Sequence, residues 1–551
     1  MLKSARTKIL LAVVLSAALF AFTDVTDRYF DIARSLDIFT TLFKEVNAHY
    51  VDEVDPGELV SNGIKGMLES LDPYTVYIPE DEAEAFSIQT TGQYAGIGAL
   101  IGLVDSKVLI TEPYPGFPAD LAGIEVGDEL LSVDDKNVEG KNTSEVSALL
   151  KGKPKTKVKV TVRKRGSDRQ VVYNLTRERI KISNVVYSNL VGKEVGYIKL
   201  DDFTPGASKE VEQAVHALKD KGATRFIIDL RDNPGGLLFE AVNIVNLFIP
   251  KGLEVVSTKG KLKDWNKTYY TLNNPIDTTT PIAILTSSGS ASASEIVAGA
   301  LQDYDRAVLV GEQTFGKGLV QTTRQLPYNA QVKVTTAKYY IPSGRCIQAL
   351  DYAHRDENGG VERFPDSLRS EFRTKGGRKV YDGAGLEPDV TVDREHLSAV
   401  LYELFSAGLI FEYANVYCGE NPRPESMKGF RLSEKDYEDF IAWIKKKKFT
   451  YSSPLQRQVD EFISESKQER IYESLKENIA ELQQQISQNQ AHDFEKFKPE
   501  ISRALEEEIA FHFHLNAGRV EVSIDRDKDI MEATDLLREA PRYQQLLSSN
   551  R

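Results

Sequence analysis

Two stretches carry residue types that could open an amide bond. The first begins with an apolar run, Ile282-Ala283-Ile284-Leu285, continues through Ser287 to Ser294 without a bulky side chain, and then places Ile296, Val297, Ala300 and Leu301 at helical spacing. This order reads as a buried strand, a tight turn and a helix. A serine on such a turn has neighbours small enough to admit a substrate carbonyl, and the N–H groups that open the helix can hold an oxyanion. The same residues also read as an ordinary helix cap, with Ser290, Ser292 or Ser294 capping and Glu295 in the first turn. The second stretch is another apolar run, Ala307 to Val310, followed by a loop, Gly311 to Gly318, with one lysine, Lys317.

A nucleophilic serine needs a base. The seven histidines, His49, His216, His354, His396, His492, His512 and His514, all lie outside these stretches. A Ser-His-Asp arrangement is therefore poorly supported, and serine–lysine catalysis is the alternative. Its lysine must be held neutral by burial, because only a neutral amine accepts the serine proton. Phe315, Gly316, Gly318, Leu319 and Val320 offer Lys317 an apolar, close-packed setting.

The strings GSASASEI (Gly289 to Ile296) and GEQTFGKGLVQ (Gly311 to Gln321) resemble those of the carboxyl-terminal processing proteases, the serine–lysine tail-processing peptidases. Matched residue by residue, the resemblance implies Ser292 as nucleophile, Lys317 as general base and Gln321 as the residue that orients the lysine. Further upstream, Asn233-Pro234-Gly235-Gly236 closes an apolar strand, Arg225 to Leu230. A Gly-Gly pair there is a turn signal; the resemblance implies that an N–H of Gly235 or Gly236, with that of Ala293, forms the oxyanion hole.

These loops need elements to position them. VGYIKLDDF (Val195 to Phe203) and RFIIDL (Arg225 to Leu230) flank an amphipathic segment, Lys209 to Lys219, and so predict a β-α-β unit. Residues Tyr94 to Arg179 resemble a PDZ domain. YAGIGALI (Tyr94 to Ile101) matches its carboxylate-binding loop and following strand, and Pro115 to Gly140 matches its middle. The resemblance implies that Gly96, Ile97, Gly98 and Ala99 bind a terminal carboxylate, that Thr143 to Lys151 walls the groove, and that Val146, Leu149 and Leu150 line its pocket. KVTTAKYYIPSGRCIQ (Lys333 to Gln348) and GLEPDV (Gly385 to Val390) again match the family. Between them a charged insert of about 36 residues, 349–384, with Gly359-Gly360 and Gly376-Gly377, predicts a solvent-exposed loop.

The ends read differently. Lys3, Arg6 and Lys8 precede a stretch, Ile9 to Phe22, in which Ser16 is the one polar residue. Its length suits a signal peptide better than a spanning helix, and no clean small-residue cleavage site fixes whether it is removed or kept as an anchor. Residues 23–88 read as helical, with breaks at Asp55-Pro56-Gly57 and Asp72-Pro73. Beyond residue 394 the chain is strongly helical. Leu455, Val459, Phe462, Ile471, Leu475, Ile479, Leu482 and Ile486 trace one face, Ser433 and Asp436 form a capping pair, and Leu505 to His514 is a further helix. His512 and His514 are not at the i, i+4 spacing of helical metal ligands.

The whole chain of 551 residues is long enough for three or four domains, and its net charge of −13 argues against nucleic acid. Cys346 and Cys418 are the only cysteines, so no zinc ribbon or redox pair is readable. The expected fold is multidomain α/β. It comprises a signal peptide or anchor (1–22), an N-terminal helical segment (23–88), a PDZ domain (89–180), a serine–lysine protease core (181–394) and a C-terminal helical domain (395–551). The resemblance implies a ClpP/crotonase-like core with an inserted PDZ domain. The expected function is an extracytoplasmic serine endopeptidase, periplasmic or secreted, that captures C-terminally exposed or unfolded proteins and needs no cofactor or metal. Tethering to the inner membrane through residues 9–22 and self-association through helical segments are its further expected partnerships. Two rival readings are a PDZ scaffold with a latched or inactive core, and an acyl-CoA enzyme of crotonase type. A targeting segment and a peptide-binding domain speak against the second.

Overall fold

A computed structural model describes residues 29–355, 359–393, 397–490 and 492–548; the expected signal or anchor segment lies outside them. Two compact units divide the chain after Tyr77. In the first, residues 29–49 are helical and a second helix spans Pro56–Glu69. Asp55 caps that helix by accepting the Glu58 N–H, and Pro56 opens it, where a missing N–H costs nothing. After the expected break at Asp72-Pro73 the chain is not helical at once: a short strand, Val76–Ile78, comes before a helix at Ala83–Thr91. Pro73 and the bonds from the Tyr74 and Thr75 N–H groups to Asp72 Oδ1 turn the chain there.

The second unit is built around a sheet of six strands in the order Val185–Val191, Val195–Leu200, Arg225–Asp229, Ile282–Thr286, Val308–Gly311 and Val390–Thr391. The first pair is antiparallel and the rest are parallel. Helices Ala207–Asp220, Leu238–Asn246 and Ala293–Asp303 pack one face in a single apolar core. The opposite face is covered by Ile530, Ala533, Leu536, Leu537 and Tyr543 from the last two helices, Lys528–Arg538 and Ala540–Leu546. This is why the strands are apolar throughout rather than alternating: both faces are buried. The final helices, within the segment expected as a C-terminal helical domain from residue 395, thus supply the cover for this face of the core. The signal was a helical pattern no different from that of any other packed helix.

The segment Gln93 to Lys181 forms its own sheet, Ala99–Val104, Lys107–Pro113, Glu129–Val133, Lys157–Arg163 and Gln170–Thr176, with a helix at Thr143–Leu150. Asn142 and Glu145 close that helix in a reciprocal capping box. This segment packs on the C-terminal helices through Arg165. Its guanidinium donates to the His512 carbonyl at 3.2 Å and lies 5.8 Å from the Phe513 ring centre. His512 is a core residue: its ring contacts the Glu508 carbonyl and Asn415, and burial lowers its pKa to about 3.

The insert 349–384 is not a loose loop. It forms two hairpins, Leu350–Arg355 with Val361–Arg363 and Glu371–Arg373 with Lys379–Tyr381. Arg378 anchors it from within, donating to Asp305, Asp389 and the Gln302 carbonyl with its side chain 4% exposed. Most of the insert's other charges, Glu362, Arg363, Asp366 and Lys379 among them, are exposed as expected. The apolar face expected along residues 455–486 is split between two helices, Pro454–Gln468 and Tyr472–Gln490. Val459, Ile479 and Ile486 are buried between them, while Leu455, Phe462, Ile471 and Leu482 remain exposed.

Candidate active site

The parallel strands end together, Asp229 beside Leu285 and Thr286 beside Gly311. The loops that follow them converge, as ligand-binding loops do at the carboxyl ends of parallel strands. They are Leu230 to Gly236, Ser287 to Ser292 and Glu312 to Lys317. Hydrogen bonds stitch the first two together: Ser287 Oγ donates to Asp232, Ser290 Oγ to the Leu230 carbonyl, and Ser294 Oγ to the Asn233 carbonyl. The serines on either side of Ser292 are thus occupied as structural ties.

Ser292 sits where helix Ala293–Asp303 begins, with φ 56° and ψ −111°. A non-glycine residue there is strained by roughly 1–3 kcal/mol and is held only by its surroundings. What holds it is Glu295, a residue the sequence suggested only as part of a cap. Its fully buried carboxylate accepts the Ser292 N–H (2.9 Å) and the Lys317 N–H (2.9 Å) on Oε2. It accepts the Thr314 hydroxyl (2.6 Å) and the Gly316 N–H (2.8 Å) on Oε1. Burial pushes this carboxyl above the ordinary glutamate range, while the four donors pull it back.

A second side chain was missed. The Tyr339 hydroxyl lies 3.2 Å from the Ser292 carbonyl oxygen and makes a short hydrogen bond to the Lys317 carbonyl. Glu295 and Tyr339 therefore grip the main chain of both residues, one at the N–H groups and the other at the carbonyls. Neither the i+3 glutamate nor a tyrosine 22 positions past Lys317 carries a sequence signal beyond capping and strand propensity.

A cleft of about 440 Å³ opens over these loops. Ser292, Ala293, Lys317, Gln321, Gly235 and Gly236 all line it, with Tyr339, Asp202 and, from the helix Ala83–Thr91, Phe86, Gln89 and Thr90. Gln321 Nε2 donates to Thr335 Oγ1 at 3.2 Å. Gly235 has φ 94°, and a Cβ on it would stand 2.9 Å from that of Ser292, so only glycine fits. Its N–H is spent on Asn233 Oδ1 at 2.9 Å. The N–H groups of Gly236 and Ala293 have no partner among the described residues.

The loop Leu230 to Gly236 is fixed at its base. Burial alone would raise the Asp229 carboxyl, but Arg231 and Lys199 outweigh it and hold it well below the usual carboxylate range. Arg231 reaches on to Asp527 and Asp529, bolting this loop to the C-terminal helices.

The expected PDZ residues are in another place. Gly98 has φ 76°, and the Ile97 and Gly98 carbonyls accept the Ala119 and Tyr114 N–H groups, which shapes a tight loop through Gly96 and Ala99. Val146 and Leu150 are buried in the core of this segment with Ile97; Leu149 is half-buried against it. Val146, 0% exposed, is closed off from any groove surface. The Tyr94 hydroxyl lies 3.5 Å from the Ala99 carbonyl, and burial pushes its pKa up to about 12.

Four family models match the chain: Peptidase family S41 at residues 194–353, PDZ domain at 109–164, Activating protease CtpB N-terminal domain at 23–82, and Probable PDZ-protease, C-terminal helical domain at 400–537. The carboxy-terminal processing protease CtpA of Bacillus subtilis is 35% identical over 56% of this chain and 66% of its own length. The carboxy-terminal-processing protease of Bartonella bacilliformis is 34% identical over 61% of this chain and 79% of its own. A solved photosystem II D1 C-terminal processing protease is 28% identical over 65% of this chain and 93% of its own, with a TM-score of 0.34.

Proposed function

The chain belongs to peptidase family S41, and from that premise we propose that it is an extracytoplasmic serine endopeptidase acting through a Ser292–Lys317 dyad. The observation that carries this reading is the pair of grips on Ser292 and Lys317. One buried carboxylate and one hydroxyl hold both main chains, twenty-five positions apart in sequence, at the floor of one cleft.

Ser292 Oγ attacks the peptide carbonyl carbon while Lys317 Nζ takes the hydroxyl proton. The carbonyl oxygen, now negative, is met by N–H groups of Ala293 and Gly236. Gly236 is favoured over Gly235 because the Gly235 N–H is committed to Asn233. Collapse of the tetrahedral intermediate breaks the C–N bond, and the proton on Lys317 passes to the leaving amine. Water then hydrolyses the acyl-enzyme with Lys317 again as base. Gln321 orients Lys317 from the neighbouring strand.

The parallel sheet with its crossover helices on one face supports a ClpP/crotonase-like core. The segment Gln93 to Lys181, of which the PDZ model matches residues 109–164, supplies the reader of C-terminally exposed or unfolded substrates through Gly96 to Ala99. Segment 9–22 directs the protein out of the cytoplasm, and exposed apolar residues of the helical arm, Leu455, Phe462 and Leu482, are the surface for self-association. No helix among the described residues is long and apolar enough to cross a membrane.

The test is digestion of a denatured protein by the full chain beside Ser292→Ala, followed by a peptide with a free C-terminus and its amidated copy. The free form should be cleaved roughly ten- to hundredfold faster, the cost of losing hydrogen bonds to a charged group. Equal activity in Ser292→Ala would overturn the assignment. Equal cleavage of the two peptides would remove C-terminal reading from it.

A further inference from the structure

The cleft holds a second lysine that the mechanism does not use. Lys333 lies on strand Gln331–Tyr340, which pairs antiparallel with Leu319–Gln325. Thr335 stands opposite Gln321, and Lys333 opposite Thr323. Side chains two apart share a face of a sheet, so these four form one surface, of which Gln321, Thr323 and Lys333 line the cleft. Lys333 is about 7 Å along that wall from the Gln321–Thr335 pair, at about 3.4 Å per residue. Across the cleft its ammonium lies 5.9 Å from the Phe86 ring centre. Burial pulls its amine below the ordinary lysine range, with no carboxylate acting against that. Asp202 lines the same cleft, with its Oδ1 accepting the Phe203 N–H; among the described residues Lys333 is a half-buried cation in the substrate path with no ion pair.

An extended peptide presents alternate side chains to one wall at about the same 7 Å interval. We propose that Lys333 is a specificity-determining residue that receives a substrate carboxylate about two to four residues from the scissile bond. The carboxylate is either an Asp or Glu side chain or the free terminus of a short tail, and the Phe86 ring face shields the pair from water. This rests on the endopeptidase reading above.

The full chain is first used to digest a denatured protein of known sequence, with cleavage sites mapped by mass spectrometry. Peptides around a preferred site are then made in pairs, Glu against Gln at each position within four residues of the cut. A shortened pair places a free or an amidated C-terminus at the same distance. The wild type should favour one carboxylate by about tenfold in kcat/KM. Preference in the Glu/Gln series identifies a side chain, and preference in the shortened pair identifies a terminus. Lys333→Met should level the pair, Lys333→Arg should keep the preference, and Lys333→Glu should turn it toward a lysine at that position. Thermal melts verify that each variant is folded; should Lys333→Met not fold, the Arg and Glu variants decide. The proposal is overturned if the wild type favours no carboxylate in either series, or if Lys333→Met or Lys333→Glu keeps the wild-type ratio. Loss of the endopeptidase reading shows separately, as hydrolysis that persists unchanged in Ser292→Ala.

Discussion

Replacing Glu295 with glutamine tests whether its carboxylate sets the geometry of the dyad. The carboxylate accepts four donors, two on each oxygen. Glutamine keeps one acceptor oxygen. Its amide nitrogen fits best toward Thr314, whose hydroxyl oxygen can accept and already does so from the Leu386 N–H. The glutamine oxygen then still meets the Ser292 and Lys317 N–H groups, and the Gly316 N–H is orphaned. Each bond that loses its charged acceptor weakens by about 1 kcal/mol. Two such bonds at the dyad amount to about 2 kcal/mol, or roughly thirtyfold in kcat with KM little changed. The orphaned Gly316 N–H costs a further ~1–3 kcal/mol of stability. Glu295→Ala orphans all four donors and should abolish turnover.

The pH dependence separates this from mere loss of fold. Burial raises the folded Glu295 carboxyl above its unfolded value. Its contribution to stability is therefore fully present below the ordinary carboxyl range and is lost as pH rises through the folded value. Activity runs the other way, because protonation removes an acceptor from the clamp. The wild type should lose kcat on acidification through a group titrating above ordinary glutamate, in a pH range where the thermal melt still shows folded protein. Glu295→Gln should lack that limb and keep only the loss that comes from protonating Lys317, which the mechanism needs neutral. A steady-state peptide assay with parallel melts reads both. If Glu295→Gln keeps kcat within threefold of wild type, or shows the same acid limb, the clamp does not govern the dyad.

Tyr339→Phe removes one neutral hydroxyl shared between the two catalytic carbonyls, so kcat should fall about three- to tenfold at unchanged KM; a larger rise in KM than fall in kcat would place its role in substrate binding. Asp229→Asn removes the buried carboxylate from its pair with Arg231 but leaves Arg231 its contacts with Asp527 and Asp529. The expected loss is about 3 kcal/mol, measurable by chemical denaturation. Because the folded Asp229 value is depressed, that stability is present above the ordinary carboxyl range and is lost as pH falls through the folded value, so the gap between variant and wild type should close in acid.

The sequence named Ser292, Lys317, Gln321, Gly235, Gly236 and Ala293, which the structure brings to one cleft, because a run of contiguous small residues is easy to see. The run Ser287 to Ser294 stood out because it lacks bulky side chains, although a helix cap would use the same residues, and its spacing to Lys317 resembled one known arrangement. The strands were legible as apolar runs, since burial on both faces erases alternation. What stayed hidden depends on contacts between distant residues. Glu295 looked like a capping glutamate, and it is one: its Oε2 accepts the Ser292 N–H. The additional bonds to Thr314, Gly316 and Lys317 require a loop about 20 residues away to fold onto it. Tyr339 reads as a strand residue with good propensity. Arg378, in the insert expected to be solvent-exposed, is buried on carboxylates of Asp305 and Asp389. The choice between Gly235 and Gly236 turned on one side-chain bond from Asn233, which no spacing rule encodes.

The central claim is that Ser292 becomes the nucleophile because Lys317 removes its proton. The most direct measurement is labelling of the full chain with a serine-reactive phosphonate, located by mass spectrometry and timed in the wild type and in Lys317→Ala. The account predicts a single adduct on Ser292, formed at a rate that falls by several orders of magnitude in Lys317→Ala while the melt is unchanged. An adduct on another serine, or equal rates with and without the Lys317 amine, would contradict it.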